Sequence, residues 1–182
     1  MASAATSETP TAGTRNPVFA DAMRWIVEAE GGAKLVNDTG GLTKWGISQR
    51  SHPHVDIANL TREGAEDIYH EMYWRPIKAN ALPPALALVL FDASVNMGVP
   101  TAVKILQTVL RTVSVDGVMG PETVAAAKMF LPRTELVAQF LRLRASQYRD
   151  LAAKSPKYAK YGYGWEMRVF RLALEAGRWR GL

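Results

Sequence analysis

The sequence contains no cysteine, which excludes a disulfide framework and a thiol nucleophile. It also lacks an apolar run of about 18 residues. Its longest apolar stretch, around residues 82–90, is short and carries a Pro-Pro pair, so we predict no membrane span. The histidines, His52, His54 and His70, have no cluster of carboxylates or thiolates in the sequence to complete a metal shell. We therefore expect no metal site and no cofactor.

Residues 1–16 read "MASAATSETPTAGTRN" and lack the basic start and apolar stretch of a secretory signal. We expect a disordered tail there and no signal peptide. The chain as a whole is 48% hydrophobic and 21% charged, which is typical of a globular protein with a real core. Its net charge of +5 favours anionic partners such as nucleic acid, a membrane surface or a cell-wall polymer. The basic residues are scattered and match no nucleic-acid motif, so we expect no nucleic-acid partner.

Helix signals dominate the sequence after the tail. An Asn-Pro start, a Gly-Gly stop and apolar residues at helical spacing mark the first helix. The pattern predicts helices over residues 17–30, 61–75, 84–97, 101–111, from 121 onward, 133–154 and 165–180, with a loop at 155–164. Five glycines between residues 31 and 46 instead favour a small β-hairpin that turns near residues 39–41. The fold class that follows is mainly α, with one small hairpin beside a helical bundle.

Two glutamates near the end of the first helix occupy different faces. At about 100° per residue, Glu30 falls in the apolar stripe of Phe19, Met23 and Ile26, whereas Glu28 falls on the opposite, solvent side. Apolar surroundings disfavour a charged carboxylate and help it to keep its proton, which suits a general acid. The alternatives are that Glu30 frays into water or pairs with a buried arginine.

The loop after Glu30 supplies further candidates for chemistry. A glycine pair lets the chain turn sharply, and a short hairpin can fold Asp38 and Thr43 back toward the helix end. Two carboxyls facing each other across a cleft suit glycosidic cleavage, and a threonine hydroxyl can position water. Glu30, Asp38 and Thr43 are therefore the candidate catalytic residues. The alternative for Asp38 is a local turn residue in "NDTGG".

These segments resemble a known family. The pattern of Glu30-Gly31-Gly32, "NDTGGLTKWGIS" and "LTREGAEDIYHEMYW" is similar to the catalytic region of glycoside hydrolase family 108, lysozyme-like N-acetylmuramidases that include many phage endolysins. The stretches "FDASVNMG" (91–98) and "VDGVMGPETVAA" (115–126) resemble the continuation of that family, where a helical region is described as a predicted peptidoglycan-binding domain.

The resemblance implies a lysozyme-like α+β fold, with a catalytic region at 17–98 and a helical region at 99–182 packed with it as one unit. It implies Glu30 as the catalytic acid, and Asp38 and Thr43 match the Glu-Asp-Thr order of the wider lysozyme superfamily. One departure is Ala33, where the family often has an aromatic residue.

Sugar clefts need flat apolar faces and amide or hydroxyl donors. Trp45, Tyr69, Gln49 and Asn96 are the candidate substrate-binding residues, because they lie near the catalytic candidates or interrupt an apolar helix. The alternatives are that Tyr69 belongs to the core and that Asn96 caps a helix end.

The implied function is that of an endolysin, an N-acetylmuramidase that cleaves the β-1,4 linkage between N-acetylmuramic acid and N-acetylglucosamine. Two alternatives stay open: a lytic transglycosylase that uses Glu30 alone, and a non-catalytic wall-binding module. We expect peptidoglycan as the partner, a monomer, and residence in the host cytoplasm until lysis, with action on the wall in the periplasm. The basic last helix can also make weak contact with an anionic membrane; the alternative is that its apolar face packs inward.

Overall fold

The computed structural model describes residues 16–30, 32, 34–38 and 41–179, so most of the predicted tail lies outside the described residues. In this part of the chain, the α-helices are α1 (Pro17–Ala29), α2 (Arg62–Tyr69), α3 (Pro84–Met97), α4 (Val99–Leu110), α5 (Pro121–Met129), α6 (Arg133–Lys154), α7 (Pro156–Ala159) and α8 (Gly162–Ala176). The strands are β1 (Val36–Asp38), β2 (Gly41–Lys44) and β3 (Ile47–Ser48). The mainly helical fold with a small hairpin is confirmed.

The first helix begins and ends where the sequence predicts. The Asn16 side chain accepts a hydrogen bond from the Val18 N–H at 2.8 Å, and a proline occupies the first turn, where its missing N–H costs nothing. Phe19, Met23 and Ile26 are buried on one face, while Glu28 is exposed. Helix α1 therefore delivers Glu30, its C-cap residue, to the edge of the core.

The glycine-rich segment folds into a three-stranded antiparallel meander in the order β1, β2, β3. Val36 pairs with Thr43, and Thr43 pairs in turn with Ser48. The predicted turn at 39–41 connects β1 and β2, although residues 39 and 40 lie outside the described part. The second turn, at Trp45 and Gly46, has φ of 55° and 77°, and the third strand that it creates was not predicted.

Helix α2 begins at the predicted cap, because the Thr61 hydroxyl accepts from the Gly64 N–H at 3.1 Å. It continues into a π-helical turn, His70–Trp74, that the sequence pattern did not reveal. The Trp74 ring packs edge-on against Phe91 of α3, with centroids 5.2 Å apart, and Phe19 of α1 packs on Trp74 at the same distance. This aromatic cluster joins α1, the π-helical turn and α3.

Helix α3 is the centre of the molecule, as its apolar sequence predicts. Every residue from 85 to 94 is buried. Helices α1, α4, α6 and α8 all pack against α3. The helices of the 99–182 region therefore share a core with α1 of the 17–98 region.

The last part of the chain differs from the prediction. The expected loop at 155–164 is wrong, because α7 lies within it and α8 begins at Gly162 and ends at Ala176. A proline opens α7, and the Tyr161 ring packs near Trp165 at 5.8 Å, so aromatic contacts order this segment. Helix α8 buries Val169 and Leu172. None of the described helices combines the length and the hydropathy needed to cross a membrane.

Candidate active site

Glu30 lies at the end of α1 in a half-buried position. Its backbone N–H donates to the Ile26 carbonyl at 2.9 Å, which continues the helical hydrogen bonding to the last turn. Its side chain is 26% exposed, and Arg168 Nη1 donates to Glu30 Oε1 at 2.7 Å. The sequence left open whether Glu30 frays into water or pairs with an arginine, and the structure shows the pairing with an arginine. The apolar stripe is only part of the surroundings of Glu30, because a cation from α8 contacts its carboxylate.

The β2–β3 turn presses against the Glu30 side chain. Gly46 has φ of +77°, and a Cβ atom placed on it would lie 2.8 Å from Glu30 Cβ and would collide with the Tyr69 hydroxyl. Only glycine fits this conformation and this close approach. The Tyr69 hydroxyl also donates to the Trp45 carbonyl at 3.1 Å. The hairpin turn is thereby fixed beside the carboxylate.

Two tyrosines from α2 and the π-helical turn face the same carboxylate. Burial and the negative charge of Glu30 raise the pKa of both Tyr69 and Tyr73. Both phenols therefore remain neutral at physiological pH and keep a proton to donate. Tyr69 is 1% exposed, so its ring packs in the core and offers no free face to a ligand.

Arg168 holds Glu30 to a buried charge cluster. Its Nη2 lies 2.8 Å from Asp92 Oδ1, and its Nε donates to the same oxygen at 3.0 Å. Asp92 is fully buried in α3 and also accepts from Arg144 Nη1 at 2.6 Å and Trp25 Nε1 at 2.8 Å. Two guanidiniums thus balance two carboxylates.

The titration of the cluster follows from these contacts. Burial opposes the ionisation of Asp92, but the charges of Arg144 and Arg168 outweigh it and hold the pKa of that carboxyl below its ordinary range. Burial likewise opposes the Arg168 cation, but Asp92 and Glu30 outweigh it and raise its pKa. Asp92 is therefore ionised and Arg168 is protonated near neutral pH.

A chain of hydrogen bonds continues from this cluster to Asn96. Arg144 Nε and Nη2 donate to the Tyr148 hydroxyl at 3.1 and 2.9 Å. That hydroxyl donates its own proton to Asn96 Oδ1 at the end of α3. Asn96 is therefore connected to Glu30 through four polar side chains of α3, α6 and α8.

The remaining predicted residues lie on or next to the hairpin. Thr43 is in β2, two residues before the turn that contacts Glu30. Asp38 ends β1 and pairs in register with Gly41, but its side chain lies outside the described part. Gln49 follows β3, and its Nε2 donates to the carbonyls of residues 52, 53 and 55 at 3.0–3.2 Å, which ties down the following loop. The substrate roles of these residues stay predictions.

Several members of the site were missed in the sequence. One had a readable signal: Asp92 is the single charged residue of the otherwise apolar α3, and a lone buried charge needs a partner. Arg168 and Arg144 had no comparable signal, because α8 and α6 carry many charged residues and the pattern does not tell which of them face inward. Tyr73 also had no distinguishing signal, because aromatic residues at helical spacing usually belong to a core.

A cavity of about 530 Å³ lies beside the last turn of α1. Its lining includes Ala29, Arg168, Asn96, Tyr163 and Trp165. Arg168 both lines this cavity and contacts Glu30, so it connects the cavity to the carboxylate. In the part of the chain that the structure describes, no group of three His, Cys, Asp or Glu side chains is placed to hold a metal ion.

A helical core with a carboxylate at the end of its first helix, beside a small antiparallel hairpin, defines a lysozyme-like protein. The solved structure of Brucella abortus SagA superposes on this chain with a TM-score of 0.74 at 28% identity, covering 88% of this chain and 94% of SagA. No curated protein matches the chain at the similarity we required.

Two family models match consecutive parts of the chain. Residues 23–98 match the model of the Glycosyl hydrolase 108 family, and residues 101–170 match the Predicted Peptidoglycan domain. The two matches together indicate a glycoside hydrolase that acts on peptidoglycan, as the resemblance implied. The region matched by the second model includes Arg144 and Arg168, so both matched regions contribute side chains to the cluster around Glu30.

Proposed function

We propose that this protein is an N-acetylmuramidase that hydrolyses the β-1,4 linkage between N-acetylmuramic acid and N-acetylglucosamine. The observation that carries the proposal is the position of Glu30. It is half-buried at a helix end and enclosed by a hairpin turn, two neutral phenols and Arg168, and its neighbours Ala29 and Arg168 line a cavity. A carboxyl held in such a place can transfer a proton to a glycosidic oxygen.

The acid step requires a protonated Glu30 carboxyl, to which the Arg168 guanidinium already donates a hydrogen bond. A glycan that covers Glu30 removes water from the carboxylate, and loss of water favours the neutral form. We propose that substrate binding supplies this change. Glu30 then protonates the leaving oxygen, and Arg168 stabilises the carboxylate that results.

We propose that Asp38 stabilises positive charge at the anomeric carbon or orients the attacking water, with help from the Thr43 hydroxyl. Support comes from the hairpin register, because Thr43 lies in the strand that leads into the turn against Glu30. Asp38 belongs to the strand paired with it.

The test is Glu30→Gln, which keeps the size of the side chain and its place beside Arg168 but removes the acid. We expect a folded protein whose release of soluble fragments from purified peptidoglycan falls by at least about 100-fold, the lower range for a general acid. Glu63→Gln is the matched control, because Glu63 is an exposed glutamate of α2 that does not line the cavity beside α1. A Glu30→Gln protein that keeps parental activity would contradict the proposal.

Product masses separate hydrolysis from the transglycosylase alternative. Hydrolysis adds one water to each cleaved bond, whereas a transglycosylase leaves an anhydro-muramyl end. We expect reducing N-acetylmuramic acid ends from the parent enzyme. A protein that sediments with peptidoglycan but releases no fragments would instead support the wall-binding module.

We also propose the setting of a phage or prophage lysis protein, made in the host cytoplasm and acting on the periplasmic wall at lysis. Its test is expression in Gram-negative cells with and without chloroform. We expect rapid clearing only after chloroform opens the inner membrane, and no clearing with Glu30→Gln. Clearing by the parent enzyme without chloroform would contradict this setting.

A further inference from the structure

The orientation of the Asn96 amide is fixed by its neighbours. The Tyr148 hydroxyl accepts from two nitrogens of the buried Arg144, so its single proton is directed to Asn96 Oδ1. The other end of the amide must then be the NH₂ group. Asn96 is exposed, and within the described residues its NH₂ group has no protein acceptor. A buried arginine and tyrosine thus hold a pair of free donors in a set direction at the surface.

These donors lie where two cavities meet. Asn96 and Trp165 line both the cavity of about 530 Å³ that borders Arg168 and a second of about 460 Å³. The Trp165 ring stacks on Tyr148, with centroids 4.9 Å apart and planes 19° apart, so its position is also fixed. Tyr163 lines the first cavity and is 77% exposed. We call these two adjoining cavities the α3–α8 groove.

The charges of the groove favour a neutral ligand. The first cavity is lined by Glu28, Arg171 and Arg168, and the charge of Arg168 is already balanced by carboxylates. The second is lined by Asp150 and Lys154. Neither cavity has a strong excess of one sign, as a site for an anionic polymer would require. Aromatic surface with a few fixed amide donors is instead suited to an uncharged, polar ring.

We propose that the α3–α8 groove binds N-acetylated sugar units of the glycan strand on the α8 side of Glu30. The Asn96 NH₂ group donates to an acetamido carbonyl, and the ring of Tyr163 packs on a sugar face. The proposal rests on the proposed function, because Arg168 connects the groove to the carboxylate that would cleave the strand. It gives the region of the Predicted Peptidoglycan domain a defined binding surface that continues the catalytic site.

Binding is measured with chitotetraose by isothermal titration calorimetry, in a Glu30→Gln background that prevents cleavage. Asn96→Asp keeps the acceptor for Tyr148 but loses the donors, and Tyr163→Ala removes the exposed ring. We expect each to weaken binding about 3- to 10-fold, and Tyr163→Phe to bind like the background protein. Phe170→Ala is the matched control, because Phe170 is an aromatic residue of the same helix, is 58% exposed and does not line either cavity. It is expected to change nothing.

Unchanged affinity in both Asn96→Asp and Tyr163→Ala, with unchanged melting temperatures, would overturn the proposal, as would failure of the background protein to bind chitotetraose. Failure of the proposed function gives a different result. If an enzyme with Glu30 intact releases no peptidoglycan fragments while the groove variants still lose chitotetraose binding, the groove stands and the muramidase proposal falls. If Glu30 proves essential for cleavage while the groove variants bind chitotetraose normally, the muramidase proposal stands and the groove proposal falls.

Discussion

The buried cluster around Asp92 allows a quantitative test with Asp92→Asn. The variant keeps the shape of the side chain but removes one of the two carboxylates that balance Arg144 and Arg168. Arg144 has no exposed surface, and its remaining hydrogen-bond partner in the described residues is the Tyr148 hydroxyl. The variant therefore leaves a buried cation without its counter-charge.

Removal of one partner of a buried ion pair costs about 3–5 kcal/mol. We expect the lower part of that range, about 3–4 kcal/mol, because Glu30 still partly balances Arg168. The assay is urea unfolding at pH 7, followed by circular dichroism. Asp21→Asn is the matched control: Asp21 pairs with Arg24 at the surface, and exposed pairs contribute up to about 1 kcal/mol.

The effect depends on pH in a direction set by the lowered pKa of Asp92. A carboxyl whose pKa is lower in the folded state stabilises the fold above its unfolded pKa, about 3.9 for aspartate, and loses that contribution as the pH falls through the folded value. The difference between the parent and Asp92→Asn is therefore largest at neutral pH and shrinks below about pH 4. An Asp92→Asn protein as stable as Asp21→Asn at pH 7 would refute this reasoning.

Three further changes test other parts of the site and one turn outside it. Arg168→Lys cannot span two carboxylates with one ammonium group, so we expect the kcat of peptidoglycan cleavage to fall about 10-fold or more, and parental kcat would contradict this. Gly46→Ala places a methyl group against Glu30 at positive φ, which should destabilise the protein by about 1–3 kcal/mol in thermal unfolding, whereas Gly120→Ala has open space and should not. Gln107→Leu removes the side-chain oxygen that accepts from the buried Gly117 N–H at 2.8 Å, so we expect the free energy of unfolding in urea to fall by about 1–3 kcal/mol. An unchanged free energy of unfolding would show that the 116–118 turn does not depend on this hydrogen bond.

Much of the fold was accessible from the sequence because its signals are local. The Asn-Pro pair marks the start of α1, and Thr61 marks the start of α2. The apolar sequence of α3 predicts that this helix is buried. The hairpin followed from clustered glycines. The π-helical turn and α7 were missed because they depend on aromatic packing between segments, which has no short-range period.

Only the part of the candidate site at the end of α1 was predictable from the sequence. Helical periodicity placed Glu30 against the core, whereas the catalytic roles of Asp38 and Thr43 stay predictions. Arg168 lies 138 residues further along the chain, and its contact with Glu30 depends on how α8 crosses α1 and α3. Periodicity cannot encode such a crossing, so the choice of this arginine among the several of α8 required three-dimensional structure.

The bridge from Glu30 through Arg168 to Asp92 has a consequence for engineering. Here a cut near residue 98 would strip two cations from the interior and leave Asp92 facing a foreign surface. A hybrid protein would need a replacement for residues 99–182 that carries both arginines in the same geometry. The regions before and after residue 98 should therefore be transferred together.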